Sequence, residues 1–344
     1  MKPFAALRMG AVALTAVAVA AALGGCAASN DAADASAPEV TFMLDWTPNT
    51  NHTGVYVAQK LGYYKAAGIR VKILPYSQNG VEASLGNGVA DFGTSTALLT
   101  TKARAAGIGV VSVLNVQQQP TQGFGVLKSN TAVKSPRDLD GKTVASYGAS
   151  EADFILKHMI QVDGGTGTFN SVTMNTSTFE AVFAGKAATA EGFSTWEGVE
   201  AQLRGKPLKF FRPDQYGVPA NPADSSIAAS SAYVKKHPKL ARAFVRATQK
   251  GYQYAIDHPQ KAADILVEQN PQAKLSTKLV RRSQKLLSTK YWVRAGVKTG
   301  AADPQRWKDY VDYLVSQGLL TNRSGKPIST APAAADLYTN QYLR

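Results

Sequence analysis

Short apolar runs alternate with polar loops and with segments of helical period along most of the chain, the pattern that marks sheet-bearing α/β units. Residues 40–44 predict the first strand, and 55–61 start a helix that Gly62 stops. Residues 69–74 are the next strand, 81–85 a short helix closed by Gly86-Asn87-Gly88, and 90–93 a strand running into Thr94-Ser95-Thr96. The hydroxyls there suit the N-cap of a helix over 97–106. A second run of the same kind begins near Lys142: strand 143–146, helix 152–161, strand 172–174, helix 178–184 and strand 188–193. After Pro238 the chain turns helical. Leu240, Phe244, Ala247, Gly251, Tyr252 and Ala255 recur at helical spacing, and further helices are expected over 260–268, 277–287 and 304–317.

Two such runs exceed what one core usually serves, so two lobes with a parallel-rich sheet each are expected. The boundaries read as 39–126 and 227–344 for lobe 1 and 127–226 for lobe 2. A helical segment that returns to the first lobe makes the chain cross between lobes more than once, and such crossings make a hinge. No short fixed period is present, which argues against a solenoid.

The N-terminus bears on where the chain resides. Lys2 and Arg8 precede an apolar stretch, 11–23, too short to span a bilayer comfortably, and it ends in Leu23-Gly24-Gly25-Cys26. Small residues admit a peptidase there, and the thiol of Cys26 can take a thioether-linked diacylglycerol. Residues 1–26 therefore read as a lipoprotein signal and 27–38, rich in Ala, Ser, Asn and Asp, as a flexible tether. Two acyl chains give lasting attachment at about 0.8 kcal/mol per buried methylene. Cys26 is the one cysteine of the sequence, so no disulfide and no Cys-ligated metal site is expected.

The formal charge is +14, and without Lys2 and Arg8 it is +12. The bases are scattered among acids without an aromatic-interleaved stripe, which argues against a nucleic-acid partner and for a solvated basic face.

The densest polar-aromatic cluster is Asp45-Trp46-Thr47-Pro48-Asn49-Thr50-Asn51-His52-Thr53-Gly54, at the carboxyl end of the first strand, where open sheets bind ligands. It combines an acid, an indole, amides and an imidazole, enough for a stacking wall and hydrogen bonds of both polarities. The junctions at Ser95-Thr96 and Gly148-Ala149-Ser150 would aim helix N-termini into a cleft, a place for acceptors and anions.

The loop 45–54, with Gly62-Tyr63-Tyr64, Asp91-Phe92-Gly93, the stretch Lys134 to Val144 and Tyr216-Gly217-Val218-Pro219, resembles the thiamine-pyrimidine-precursor (NMT1/THI5-like) binding proteins of ABC importers. More distant relatives in this resemblance are receptors for alkanesulfonate, taurine and nitrate. The resemblance implies a two-lobed periplasmic-binding-protein fold of type II and an aminopyrimidine held between lobes, with no cofactor. It implies a monomer that meets an ABC permease and ATPase at the membrane. Trp46 fits as one stacking plate, with Tyr147, Trp196 or Tyr216 as the second. Glu197 is favoured as the in-plane acid, with Asp45 as competitor, and Asn49, His52, Ser95, Thr96, Gly148 and Glu151 complete the expected contacts. The loop 147–151 departs from the bulkier loop of some family members.

Catalysis has little support. His52, His158, His237 and His258 are scattered and belong to no metal or nucleophile motif. The related eukaryotic synthases consume the histidine of this motif, but they carry a cysteine cluster and bind pyridoxal phosphate; His52 is expected here to brace the loop or touch ligand.

Overall fold

The computed structural model describes residues 37–148, 150–174 and 177–344. The lipobox with Cys26, the signal over 1–26 and nearly all of the tether over 27–38 lie outside the described residues. Among the described residues no helix is long and apolar enough to cross a membrane.

Residues 38–344 form two sheet-bearing lobes. The first sheet contains β1 (Glu39–Met43), β2 (Arg70–Leu74), β3 (Phe92–Ser95), β4 (Val110–Asn115) and β10 (Ser226–Ser230), in the order β2-β1-β3-β10-β4. The second contains β5 (Gln122–Leu127), β6 (Thr143–Ser146), β7 (Asn170–Thr173), β8 (Thr189–Phe193) and β9 (Leu208–Phe211), in the order β7-β6-β8-β5-β9.

Both sheets are parallel-rich, as expected, and mixed in that one strand of the five in each runs against the other four. β1 pairs in parallel with β2 and β3, and β6 with β7 and β8, but β10 and β5 run antiparallel to both of their neighbours. These are the strands on which the chain arrives from the other lobe, so each enters its sheet from the side of the cleft. The boundary at 126 is corrected with them: β5 belongs wholly to the second sheet. Its sequence, Gln-Gly-Phe-Gly-Val-Leu, hides a strand because two glycines break the apolar run.

The two crossovers, 116–121 and 212–225, lie side by side. Val116 and Gln117 donate their N–H groups to Ser225 O at 3.0 Å each. Arg306 braces both, donating to Gln118 O at 2.6 Å and to Asn221 O at 3.4 Å.

The first lobe is built on a close helix crossing. The helix Thr53–Lys60 packs on Pro238–Asp257, whose buried face carries Phe244, Ala247, Gly251, Tyr252 and Ala255 of the predicted stripe, with Ala241 buried in place of the half-buried Leu240. At the crossing a Cβ on Gly251 would stand 2.0 Å from Gly54 O, so only glycine lets the two backbones approach.

Candidate functional site

β1 ends at Met43, and the chain then turns into the loop 44–52 rather than directly into a helix. Asn49 makes this turn rigid. Its Oδ1 accepts the Asn51 N–H at 2.9 Å, and its own N–H donates to His52 Nδ1 at 3.2 Å, a reciprocal cap on the 3-10 turn Thr50–His52. Because Nδ1 accepts, the proton of the neutral ring sits on Nε2, which donates to Asp45 Oδ1 at 2.7 Å. His52 is fully buried with both nitrogens engaged, so it braces the loop and fixes Asp45; it is not placed to touch a ligand. Asn51 is tied to the first crossover, its Oδ1 accepting from Gln117 Nε2 at 2.9 Å. The loop thereby presents Trp46, 44% exposed, toward the space between the lobes, its ring tilted against Tyr76 at 5.7 Å.

That space is a cavity of about 320 Å³. From the first lobe Asp45, Trp46, Asn49 and Thr96 line it; from the second come Tyr147, Trp196 and Glu197. Seven of the expected residues therefore meet in one place. Thr96 also caps the helix Ala97–Ala105 by accepting the Leu99 N–H at 3.1 Å. Tyr147 leaves 39% of its surface exposed, whereas Trp196 is also packed against the first lobe's core.

Five expected contacts are elsewhere. His52 is behind the loop, as above. Ser95 is buried at the end of β3 and donates to Glu82 Oε1 at 2.6 Å, which uses its hydroxyl inside the first lobe. Gly148 turns with φ +86°, and its N–H is taken by Ser146 Oγ at 2.9 Å. Glu151 is ion-paired with Lys102 across the two lobes. Tyr216 packs edge-on against Phe211 at 6.5 Å in the second lobe's core, away from the cavity.

Sequence reasoning missed Gln122, Glu191 and Asp224, which line the same cavity. Glu191 was legible in principle, since an acid flanked by Ala190 and Gly192 within a strand is out of place unless it has a task. Asp224 gave no signal, because its position depends on the second crossover.

The lining has an unusual charge. Asp45, Glu191, Glu197 and Asp224 contribute four carboxyl groups, and among the described lining residues none is Lys or Arg. Burial pushes the Glu197 carboxyl up to about 7 against the hydrogen bond from the Phe193 N–H, 2.8 Å from Oε2. Burial likewise raises Glu191 to about 7, opposed by Gln122 and reinforced by the charge of Asp224. Asp224 is also raised by burial. Carboxyl groups partly withdrawn from water in this way favour a guest that brings donors.

Two mixed α/β lobes joined by paired crossovers around such a cavity give the chain the fold of the periplasmic solute-binding proteins. The chain belongs to the NMT1/THI5-like family, whose model matches residues 49–262. The 4-amino-5-hydroxymethyl-2-methylpyrimidine phosphate synthase of Legionella pneumophila is 30% identical over 237 residues, 68% of this chain and 74% of that one. The formylaminopyrimidine-binding protein of Halalkalibacterium halodurans is 28% identical over 299 residues, covering 85% and 89%. The riboflavin-binding protein RibY of Chloroflexus aurantiacus is 28% identical over 318 residues, covering 89% and 86%. Among solved structures, the alkanesulfonate-binding protein SsuA of Xanthomonas axonopodis pv. citri superposes with a TM-score of 0.64 over 88% of this chain and 98% of that one. At 14% identity that likeness is one of fold.

Proposed function

We propose that the chain is the extracytoplasmic, lipid-anchored receptor of an ABC importer and that it captures a flat, protonatable heterocycle, an aminopyrimidine related to thiamine precursors. The carrying observation is the cavity lining: exposed aromatic rings from both lobes, four carboxyl groups and no base among the described residues. A protonated aminopyrimidine presents an exocyclic amine and a ring N–H side by side, which a carboxylate accepts as a charge-assisted pair. Glu197 is the acid for that edge, held by the Phe193 N–H. Trp46 and Tyr147, one from each lobe, are the plates that would cover the ring faces. The volume lies at the small end of ligand cavities, roughly 300–1,000 Å³, which favours a single ring over a bulkier tricycle such as the isoalloxazine of riboflavin.

A sulfonate or nitrate group would enter this site against its charge, so the anion-receptor reading is the weaker one. The synthase reading draws on the Legionella relative, but His52 sits sealed behind the loop as a brace. Capture then follows from the hinge: a guest that bonds both lobes binds the closed form better than the open one and shifts the molecule toward it. That closed form is what an ABC permease, coupled to its ATPase, would receive from a monomeric receptor.

A thermal-shift panel of aminopyrimidines, riboflavin, taurine, nitrate and pyridoxal phosphate tests this reading. An aminopyrimidine at a hundredfold excess over Kd should stabilise by about 2.7 kcal/mol, with no response to the anions or to pyridoxal phosphate. Stabilisation by taurine or nitrate alone would overturn it.

A further inference from the structure

The acids lining the cavity form two separate arrangements. Glu197 stands at the start of the helix Glu197–Leu203, while Glu191 lies within β8 and is held from β5. Gln122 is the link: its Nε2 donates to Glu191 Oε1 at 2.7 Å, and its backbone N–H donates to Asp224 Oδ2 at 3.1 Å. The Thr121 N–H donates to the same Oδ2 at 2.6 Å, so Asp224 is pinned by the first crossover. Asp224 is only 4% exposed, yet its Oδ1 has no hydrogen-bond partner among the described residues. The fold keeps a buried carboxylate beside the cavity and gives one of its oxygens no donor, a costly arrangement that a donor brought by a guest would relieve.

Building on the aminopyrimidine reading, we propose that Glu191, Gln122 and Asp224 form a second subsite that takes a cationic aminoalkyl arm of the ligand. The substrate class is then an aminopyrimidine bearing a primary amine. An ammonium has three donors and no acceptor, which complements ionised carboxylates, and its charge favours the ionised form of Glu191 and Asp224. A hydroxyl brings a single donor and no charge. A formamide brings one donor and no charge, and its carbonyl oxygen would be repelled by two carboxylates. The subsite thus selects against both neutral arms.

Calorimetric titration at pH 7 with 4-amino-5-aminomethyl-2-methylpyrimidine, its N-formyl derivative and the 5-hydroxymethyl compound tests the subsite. The wild-type protein should bind the aminomethyl compound about tenfold or more tightly than the other two, the size of one charge-assisted bond. Glu191→Gln should bring the three within about threefold of each other, while Glu197→Gln weakens all three alike. Where Glu191→Gln lacks the wild-type circular dichroism, Asp224→Asn replaces it with the same expectation. Equal or tighter binding of a neutral-arm compound by wild type, or a preference that survives in the subsite variants, overturns the subsite. Binding of none of the three overturns the aminopyrimidine reading itself.

Discussion

Glu197 has two opposed relations to the fold. Burial makes its ionised form unfavourable in the empty protein, and the same burial strengthens its bond to a cation that enters. Its carboxyl, and that of Glu191, move from an ordinary value of 4.5 up to about 7. Between those values the folded protein holds protons that the unfolded chain releases, so stability falls as pH rises through that window and levels off above it. Ligand-free protein should therefore melt at a lower temperature at pH 7.5 than at pH 5. Glu197→Gln should flatten that slope by about 1.4 kcal/mol per pH unit, one proton's worth, in denaturant titrations across the window. An unchanged slope would remove Glu197 from the buried acids. Trp46 makes a complementary prediction. It is 44% exposed in a rigid loop, so Trp46→Ala should leave the melting temperature nearly unchanged while weakening ligand binding about tenfold, measured by calorimetry.

Among the elements, the helix crossing at Gly54 and Gly251 sets the first lobe's geometry. Gly251→Ala drives a Cβ to 2.0 Å from a backbone oxygen that has no rotamer to yield, and should destabilise by about 3 kcal/mol, read as a fall in the denaturation midpoint. What the sequence disclosed follows from local physics of this kind. The helix Pro238–Asp257 was legible because its buried stripe recurs at helical period, and β1 because its apolar run stops at a polar loop. β10 was not: Ser-Ile-Ala-Ala-Ser is buried throughout but too small and too short to mark a strand, and its partners come from far along the chain. The site divides the same way. Trp46 and Glu197 declared themselves through their neighbours in sequence, whereas Asp224 gains its role from Thr121 and Gln122, a hundred residues away. For His52 the sequence left loop brace and ligand contact open, and Ser95 was expected as a contact; the partners that occupy them, Asp45 and Glu82, become visible only when the loop and the β3 end are folded.

At the scale of the whole molecule, the lobes meet at the crossovers, around the cavity, through Trp196 on the first lobe's core and the ring contact of His158 with Tyr313, and through the ion pair of Lys102 with Glu151. Its side chains are 33% and 18% exposed, so the pair contributes at most about 1 kcal/mol to overall stability. Because it joins the lobes, its loss should act on closure. Lys102→Ala should leave the melting temperature within a few degrees of wild type and raise the ligand off-rate about fivefold in stopped-flow measurements, the kinetic equivalent of 1 kcal/mol. An off-rate equal to wild type would make the pair a surface contact without consequence for capture.

On the proposed reading, a flat cationic guest is gripped between the lobes by stacking and by acids. A crystal structure of the protein grown with an aminopyrimidine measures this directly. The ring should lie between Trp46 and Tyr147, with its amine edge on Glu197 and both lobes in contact with it. A guest bound outside the cavity, or a cavity filled by an anion with the carboxyl groups turned away, would contradict the claim.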